Sequence, residues 1–264
     1  EDDYSGNAIG YVYDSMGNAT EAVAKGKDGK TVSSKKYAYD SLSRLVSSDI
    51  DGIRHSYVYD SNNNILSKNG IGYTYDAVIK DRLVSRSDGT VIEYKDAFIG
   101  NPTLIAFPDR RIEMSWKGRR LAAASGHAYS YDPNGLRILK TNGRRTERYI
   151  YDGDSLCAMK VDEGNASDVV FFHYDETNAL VGFSFDGKDY FYDRDILGNI
   201  NAVIDSQGTR LVSYSYGDFG EAAETVADSD EARLAAEINP FRFKGYFYDR
   251  ETGFYYLKPR YYSP

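Results

Sequence analysis

Short stretches along the whole chain alternate aromatic or apolar side chains with polar ones. The commonest stretch is Tyr-x-Tyr-Asp, in which the two tyrosines are two residues apart and therefore share one face of a β-strand. The residue between them points to the other face, so each stretch predicts a strand with one aromatic face. Looser copies, such as Tyr94-Lys95-Asp96 and Phe172-His173-Tyr174-Asp175, fill most of the gaps.

The aspartate that ends each stretch predicts a turn, because its carboxylate can accept hydrogen bonds from backbone N–H groups two residues on. A strand of alternating apolar residues follows, and a pair such as Asp28-Gly29 or Asn69-Gly70 then predicts a hairpin turn. We predict turn roles for these aspartates: Asp14, Asp40, Asp60, Asp76, Asp132, Asp152 and Asp193.

The two classes of turn alternate from Asp14 to Asp218, which predicts roughly twenty short antiparallel strands in hairpin succession. A sheet of so many strands cannot stay flat, so a propeller, a two-sheet stack and one long spiralling ribbon are all possible. The unequal repeat lengths disfavour the propeller. One short helix is predicted near 229–238, where Ser229 is a suitable N-cap and helix-forming residues follow.

Domain organisation is expected to be simple, because no Pro/Ser-rich linker interrupts the repeats. We predict a β-ribbon over 1–238 and a terminal motif over 239–264 that is continuous with the same domain. The repeat is most distorted at 100–120, where Asn101-Pro102 and Phe107-Pro108 fall.

The formal net charge is −8, and the charges are interspersed along the chain. This argues against a nucleic-acid partner or an anionic membrane surface. The apolar runs are too short to span a membrane. Because the chain begins with Glu1, we expect it to be an excised piece of a longer protein.

The candidate chemistry is sparse. The histidines His55, His127 and His173 are scattered among different repeats without the spacing of a zinc or catalytic site. No phosphate-binding loop, dinucleotide fingerprint or nucleophile elbow is present. The sequence therefore predicts no cofactor, no metal site and no catalytic residue.

The terminal motif is rich in aromatics and varies the same repeat unit. We expect Gly245 and Gly253 to allow close turns, and four of its tyrosines, at 255, 256, 261 and 262, to pack inward and seal the ribbon. The motif positions are Asn239, Pro240, Phe241, Arg242, Gly245, Asp249, Gly253, Tyr255, Tyr256, Arg260, Tyr261 and Tyr262.

These motifs resemble a known family. Units with a Gly-Asn turn, such as residues 11–18, look like the YD repeats of the Rhs family, and residues 239–262 resemble the Rhs-associated core motif. The resemblance covers essentially the whole chain. It implies an all-β fold in which a long antiparallel β-hairpin ribbon curves or spirals into a partial shell, as in Rhs polymorphic toxins, the Tc toxin C component and teneurins.

The resemblance also implies a function. In the toxins the shell surrounds a variable C-terminal effector, so this chain is expected to be a non-enzymatic, secreted or cell-surface shell fragment whose partner is the effector of its parent polypeptide. In those relatives an aspartate-based self-cleavage site follows the core motif. The sequence of this site usually begins with Asp-Pro. Because Ser263-Pro264 stands there, we expect the self-cleavage aspartates to lie beyond Pro264. The alternative is an extracellular carbohydrate-binding or adhesion module that presents rows of exposed tyrosines to a cell-surface glycan.

Overall fold

A computed structural model of the protein describes residues 8–95, 100–258 and 260–264. Over these residues it confirms the predicted fold class, with 25 short strands in antiparallel succession and a single short α-helix. The chain forms two compact units, which are Glu1–Arg111 and Ile112–Pro264. The boundary between them falls inside the stretch 100–120, where the prolines distort the repeat. Asp96, which ends a looser repeat copy, lies outside the described residues.

In the first unit, each strand pairs antiparallel with the next one along the chain. The strands are β1 (Ala8–Tyr13), β2 (Ala19–Lys25), β3 (Thr31–Tyr39), β4 (Leu45–Ile50), β5 (Ile53–Tyr59), β6 (Ile65–Lys68), β7 (Ile71–Tyr75), β8 (Leu83–Arg86), β9 (Val91–Glu93) and β10 (Leu104–Ala106).

In the second unit, each strand from β11 to β22 again pairs antiparallel with the next one along the chain. These strands are β11 (Arg111–Lys117), β12 (Arg120–Ala124), β13 (His127–Tyr131), β14 (Arg137–Thr141), β15 (Arg145–Asp152), β16 (Ser155–Glu163), β17 (Ala166–Tyr174), β18 (Leu180–Phe185), β19 (Lys188–Arg194), β20 (Ile200–Asp205), β21 (Arg210–Tyr216) and β22 (Ala222–Val226).

The predicted helix is present as α1 (Asp230–Ile238), and the Ser229 hydroxyl caps it by accepting a hydrogen bond from the Ala232 N–H. A 3-10 turn (Phe243–Gly245) and a small antiparallel sheet follow, made of β23 (Phe247–Asp249), β24 (Phe254–Tyr256) and β25 (Tyr261–Tyr262). Over the described ranges, none of the helices combines the length and the apolarity that crossing a membrane requires.

Aspartate carboxylates cap turns in both units. The Asp14 carboxylate accepts hydrogen bonds from the N–H groups of Met16 at 2.9 Å and Asn18 at 2.8 Å. Three residues after the aspartate the backbone has a positive φ, which Gly17 adopts at 84° without the cost that a Cβ would add. Related carboxylate-to-backbone bonds occur in other repeats, at Asp40, Asp60, Asp76, Asp132, Asp175, Asp195 and Asp205.

Two of the predicted turn aspartates do not have this role. Asp193 lies within β19, is 6% exposed and pairs with Arg210 at 2.8 Å, while the capping carboxylate of that repeat belongs to Asp195. The strand simply runs two residues further than in other repeats. Asp152 ends β15 opposite Ser155, so a two-residue turn follows and the longer loop that an aspartate caps elsewhere is missing.

The second aromatic of most repeats sits where the strand pairing shifts register, for example between Val12 and Tyr13 or between Val58 and Tyr59. Such a bulge bends the strand and turns the following side chains. The hydroxyl of this tyrosine then donates to a backbone carbonyl at or next to the start of the strand after the preceding turn, at 2.5 to 3.0 Å. We call these residues the latch tyrosines: Tyr39, Tyr59, Tyr75, Tyr94, Tyr151, Tyr174 and Tyr216.

One repeat uses arginine in the same position. Arg194 follows a register shift in β19 and donates from Nη1 to the Leu180 carbonyl at 2.9 Å. The latch therefore requires a hydrogen-bond donor at the end of a long side chain, and a phenylalanine there would not supply one.

The two units differ in their cores. Among the described residues of the first unit, the fully buried apolar side chains are Tyr57 and Ile92. The second unit contains a continuous cluster that runs from Tyr149 in β15 to Tyr256 in β24 and includes all four buried residues of α1. Apolar burial is the main source of folding free energy, so the second unit holds most of it.

Candidate functional site in the docked terminal motif

The terminal motif, residues 239–264, packs against the strands of the second unit and is joined to them by a buried ion pair. Arg137 begins β14 and Asp249 ends β23, and each is 0% exposed. The guanidinium Nη1 lies 2.6 Å from the Asp249 Oδ2, although 112 positions separate the two residues. A charge this deeply buried must be paired, so the contact fixes where the terminal motif docks.

Aromatic rings surround the Arg137 guanidinium. Its central carbon lies 4.4 Å from the ring centroid of Tyr256 and 4.8 Å from that of Phe247, both in the terminal motif. Tyr129 and Tyr149 of the sheet supply two more rings at 5.4 and 5.1 Å. In the described part of the chain Nε and Nη2 make no hydrogen bond, so contacts with the ring faces replace part of the lost hydration.

A second cation, Lys140, lies among three carboxylates. Its Nζ is 3.1 Å from Glu147, 3.5 Å from Glu251 and 3.6 Å from the Asp249 Oδ1. Two tyrosine hydroxyls complete the network, since Tyr149 donates to Glu147 at 2.7 Å and Tyr129 donates to Glu251 at 2.8 Å. Asp249 Oδ1 accepts no hydrogen bond from a described residue, so Lys140 is its nearest partner.

Burial and charge act in opposite directions on these carboxyls. Burial raises the pKa of Asp249, and the charges of Arg137 and Lys140 oppose this rise only in part. Burial also acts to raise the pKa of Glu251, but Lys140 and hydrogen bonds outweigh it and the pKa is lowered. The pKa values of these two neighbouring carboxyls are thus shifted in opposite directions.

Arg242 forms a second anchor of the motif. It is 2% exposed, and its Nη2 lies 2.5 Å from Glu224 of β22. The guanidinium carbon lies 4.6 Å from the Tyr214 ring centroid and 4.9 Å from that of Tyr248. Arg250 reaches the same carboxylate at 2.9 Å, so Glu224 holds two arginines of the motif.

Asn239, where α1 ends, is 1% exposed and fully hydrogen-bonded. Its Oδ1 accepts from the Tyr192 hydroxyl at 2.7 Å, and its Nδ2 donates to the Tyr214 hydroxyl and the Phe241 carbonyl, both at 3.0 Å. An aspartate would lack the two donors, which explains why an amide is needed here.

The four tyrosines expected to pack inward are buried or half-buried. Tyr255 is 0% exposed and donates to the Gly220 carbonyl at 2.9 Å, and Tyr256 is 7% exposed. Tyr261 and Tyr262 are half-buried: the hydroxyl of Tyr261 meets that of Tyr131 at 2.7 Å, and the hydroxyl of Tyr262 donates to the Phe219 carbonyl at 2.6 Å.

The remaining motif positions have simpler roles. Gly245 and Gly253 have φ values of 67° and 77°, in the left-handed region that favours glycine. Phe241 is 7% exposed and packs edge-on against Phe172, and the Pro240 carbonyl accepts from the Tyr248 N–H at 2.8 Å. Arg260 is exposed, and its carbonyl accepts from the Leu257 N–H at 2.8 Å.

Sequence reasoning missed the partners of the motif, above all Arg137 and Lys140. One signal was present: the residue five positions after a turn aspartate is apolar in several repeats, as at Ala19, Leu45 and Ile65, but is Arg137 after Asp132. A charge at such a position indicates a partner, although Asp81 and Arg210 occupy the same position after Asp76 and Asp205. The partner itself, 112 positions away, leaves no local signal.

Two cavities border the motif within the second unit. One of about 250 Å³ lies beside the carboxylates, and one of about 350 Å³ is walled by Leu156, Tyr174 and Phe247, with Lys258 and Arg260 among its lining. Within the described ranges, no group of three or more His, Cys, Asp or Glu side chains is arranged to hold a metal ion.

The strand succession, the aspartate turns and the docked motif together define an antiparallel β-repeat protein. The model of one family, described as teneurin YD-shell, matches residues 7–264. The chain belongs to this family, which confirms the resemblance to Rhs-type YD repeats.

Two curated relatives are each 31% identical to it over 261 residues: the tRNA3(Ser)-specific nuclease WapA of Bacillus spizizenii and the tRNA nuclease WapA of Bacillus subtilis strain 168. The match covers 98% of this chain but only 9% of each relative. Among solved structures, TcdB2-TccC3 without its hypervariable C-terminal region superposes with a TM-score of 0.66 at 17% identity, over 100% of this chain and 17% of that one. The Photorhabdus luminescens Tc holotoxin pore gives 0.62 at 17% identity, over 96% and 16%.

Proposed function

We propose that this chain is a non-enzymatic section of a shell wall, and that in a longer secreted or cell-surface polypeptide the wall encloses a C-terminal effector. The observation that carries the proposal is the docked terminal motif, which the buried Arg137–Asp249 and Arg242–Glu224 pairs hold on the sheet. A wall that retains a cargo must resist local opening, and buried pairs that bridge distant segments provide that resistance.

The relatives support this division of labour. Those named tRNA nucleases are far longer than the stretch they share with this chain, which is 9% of their length. We therefore assign the wall to this chain and the effector's chemistry to a different part of the polypeptide. The purified chain is expected to leave tRNA intact in an electrophoretic cleavage assay, and cleavage by the chain itself would contradict the assignment.

Enclosure is tested on the longer polypeptide that contains this chain, carrying a C-terminal tag on the effector. Limited proteolysis of the native polypeptide should leave the tagged effector intact. Arg137→Met should expose it, because Asp249 is then left buried without its arginine at a cost of about 3–5 kcal/mol.

Arg148→Met is the matched control. Arg148 lies on the neighbouring strand, is 51% exposed and pairs with Asp162, and a surface pair of this kind contributes at most about 1 kcal/mol. The control should protect the effector as the native protein does. Equal digestion of the effector in the native polypeptide and in Arg137→Met would rule out enclosure by this wall.

The carbohydrate-binding alternative receives no support from the exposure of the aromatics. Among the described aromatic side chains Tyr13, Phe171 and Phe191 are exposed, whereas the other tyrosines of the repeats are buried or half-buried. A glycan array with the purified chain tests this alternative, and it would require saturable binding that an exposed-ring variant such as Phe171→Ala abolishes.

The placement of Asp249 and Glu251 favours a second candidate function, self-processing of the longer polypeptide. The two carboxylates lie 3.6 and 3.5 Å from the same Lys140 ammonium, and burial raises the pKa of Asp249 while the pKa of Glu251 is lowered. Neighbouring carboxyls whose pKa values are shifted apart are the arrangement on which acid–base cleavage by carboxyl groups depends. Under this candidate the Asp249–Glu251 neighbourhood contributes to cutting the polypeptide. The expectation that the chain is non-enzymatic would then apply to the isolated chain only.

Asp249→Asn tests self-processing, since the amide keeps the shape of the side chain but cannot exchange a proton near neutral pH. Cleavage of the longer polypeptide, followed over time by electrophoresis, should stop in this variant. A thermal melt identifies variants that fail to fold. A folded Asp249→Asn protein that still cleaves at the native rate would exclude Asp249 from the chemistry.

A further inference from the structure

The larger of the two cavities beside the terminal motif lies between that motif and strands β15–β17 of the sheet. Its volume is about 350 Å³, which is within the range of about 300–1,000 Å³ that small-molecule sites occupy. Its inner surface is formed by aromatic and aliphatic side chains from both parts: Tyr151, Leu156, Tyr174, Phe241, Phe247 and Tyr256. A molecule in this cavity would therefore touch the sheet and the motif at once.

The hydroxyls of these three tyrosines are already used within the protein. Tyr151 donates to the Arg137 carbonyl at 2.9 Å, and Tyr174 donates to the Leu156 carbonyl at 3.0 Å. The Tyr256 hydroxyl accepts from the Arg137 N–H at 2.8 Å. These side chains offer a ligand the surfaces of their rings, so the part of the ligand that fills the cavity must be apolar.

The solvent-exposed side of the cavity is cationic. Lys258 and Arg260 both line it, and the Lys258 Nζ is paired with Asp154 at 2.8 Å. Arg260 is exposed and forms no ion pair with the described residues. Its backbone is held beside the cavity, because its carbonyl accepts from the Leu257 N–H at 2.8 Å and β25 pairs with β24 directly after it. One uncompensated guanidinium, a planar donor of paired hydrogen bonds, matches one carboxylate.

We propose that this cavity binds a small aromatic carboxylate, whose ring lies among the aromatic side chains and whose carboxylate pairs with Arg260. A rigid ring loses little conformational freedom on binding and meets the lining rings edge-on or offset, which favours it over a flexible alkyl chain. The ligand binds only where the motif is docked on the sheet, so occupancy stabilises the docked arrangement. The inference concerns this cavity alone and holds whether or not an effector is enclosed.

Cinnamate is a suitable probe, because it joins one aromatic ring to one carboxylate, and cinnamamide is its uncharged counterpart. In an NMR titration of the intact chain, cinnamate should bind saturably with a Kd below about 1 mM. Arg260→Gln should weaken the binding about fivefold, the most that an exposed ion pair contributes. Arg119→Gln is the matched control: Arg119 is exposed and lies outside the lining of the cavity, so its loss should not change the Kd.

Two further measurements separate the outcomes. Leu257→Trp, which places a bulkier ring in the lining, should abolish binding, and cinnamate should raise the Tm of the native chain more than cinnamamide does. Absence of saturable cinnamate binding up to about 5 mM, or equal Kd values for the native chain and Arg260→Gln, would overturn the proposal. Tighter binding of octanoate than of cinnamate would assign the cavity to aliphatic acids, and so would overturn it too. Because Arg260 is exposed, its substitution should leave the fold intact, and the comparison stays decisive even where Leu257→Trp fails to fold.

Discussion

At the scale of single residues, the latch explains why tyrosine is preferred to phenylalanine at the second aromatic position. The ring fills the half-buried space beside the turn, and the hydroxyl satisfies a backbone carbonyl of the neighbouring hairpin. Because the acceptor is backbone, the contact tolerates any residue at the acceptor position, as Ala19, Leu45 and Arg137 show.

Removal of one latch hydroxyl should lower the stability by the net value of a hydrogen bond. Tyr174→Phe breaks a bond of 3.0 Å to the Leu156 carbonyl and is expected to reduce the free energy of unfolding by about 1 kcal/mol. Urea denaturation of the whole chain measures the change. The Tyr13 hydroxyl donates to no carbonyl of the described residues, so Tyr13→Phe should leave the unfolding curve unchanged. An equal loss in both variants would contradict the latch.

The turn carboxylates should make the first unit sensitive to acid. The side chain of Arg82 and the N–H groups of Ile79 and Val78 lower the pKa of Asp76 from 3.8 to about 2. Since the folded pKa lies below the unfolded one, this stabilisation is complete above about pH 4 and is lost as the pH falls through about 2.

A carboxyl carbon NMR titration of Asp76 checks this directly. Arg82→Gln should move the midpoint up towards 3.8, whereas Arg111→Gln, an exposed arginine outside the Asp76 contacts, should not. An unchanged midpoint in Arg82→Gln would mean that the backbone donors alone lower the pKa.

At the scale of elements, the turns and the terminal motif are coupled through Gly220. Its φ is 91°, and a Cβ built there would lie 2.5 Å from the Phe243 ring of the motif. Gly143 has a similar φ of 86° but open space around the same position. A comparison of substitutions at Gly220 and Gly143 therefore separates the cost of backbone strain from the cost of the clash with the motif.

Gly220→Ala should therefore destabilise the protein by more than Gly143→Ala. A left-handed conformation costs about 1 kcal/mol for alanine, and displacement of a buried ring adds about 1–3 kcal/mol for Gly220 only. Thermal unfolding of the two variants measures the difference. Equal shifts in Tm would show that Phe243 moves aside without cost.

The elements were largely predictable from the sequence because their causes are local. An aspartate caps its own turn, a Gly-containing pair closes its own hairpin, and Ser229 caps its own helix, so pattern and structure agree. Asp193 shows the limit: the pattern marks a repeat, but a strand that runs on to Asp195 decides which carboxylate caps the turn. The pairing of Arg137 with Asp249 could not be predicted from a local pattern, because a buried pair depends on docking between distant segments.

At the scale of the whole molecule, the unequal cores predict unequal stability. Tyr57 and Ile92 are the buried apolar side chains described in the first unit, against a continuous cluster in the second. Hydrogen exchange with mass spectrometry should show faster exchange for β2–β6 than for β16–β21, because sparse apolar burial permits local opening. Comparable protection from exchange in both units would indicate that the hydrogen-bonded turns and latches are sufficient to prevent local opening of the first unit.

The separation of Arg137 from Asp249 also has a consequence for synthesis on the ribosome. At about 5–20 residues per second, the 112 intervening positions take roughly 5 to 25 s to translate. The latch partners in the repeats, such as Tyr75 and Ile65, are only 10 positions apart and can meet almost at once. The nascent ribbon can therefore acquire its hairpins while Arg137 still lacks Phe247, Tyr256 and its carboxylate, and emergence of the last residues completes the fold of the second unit.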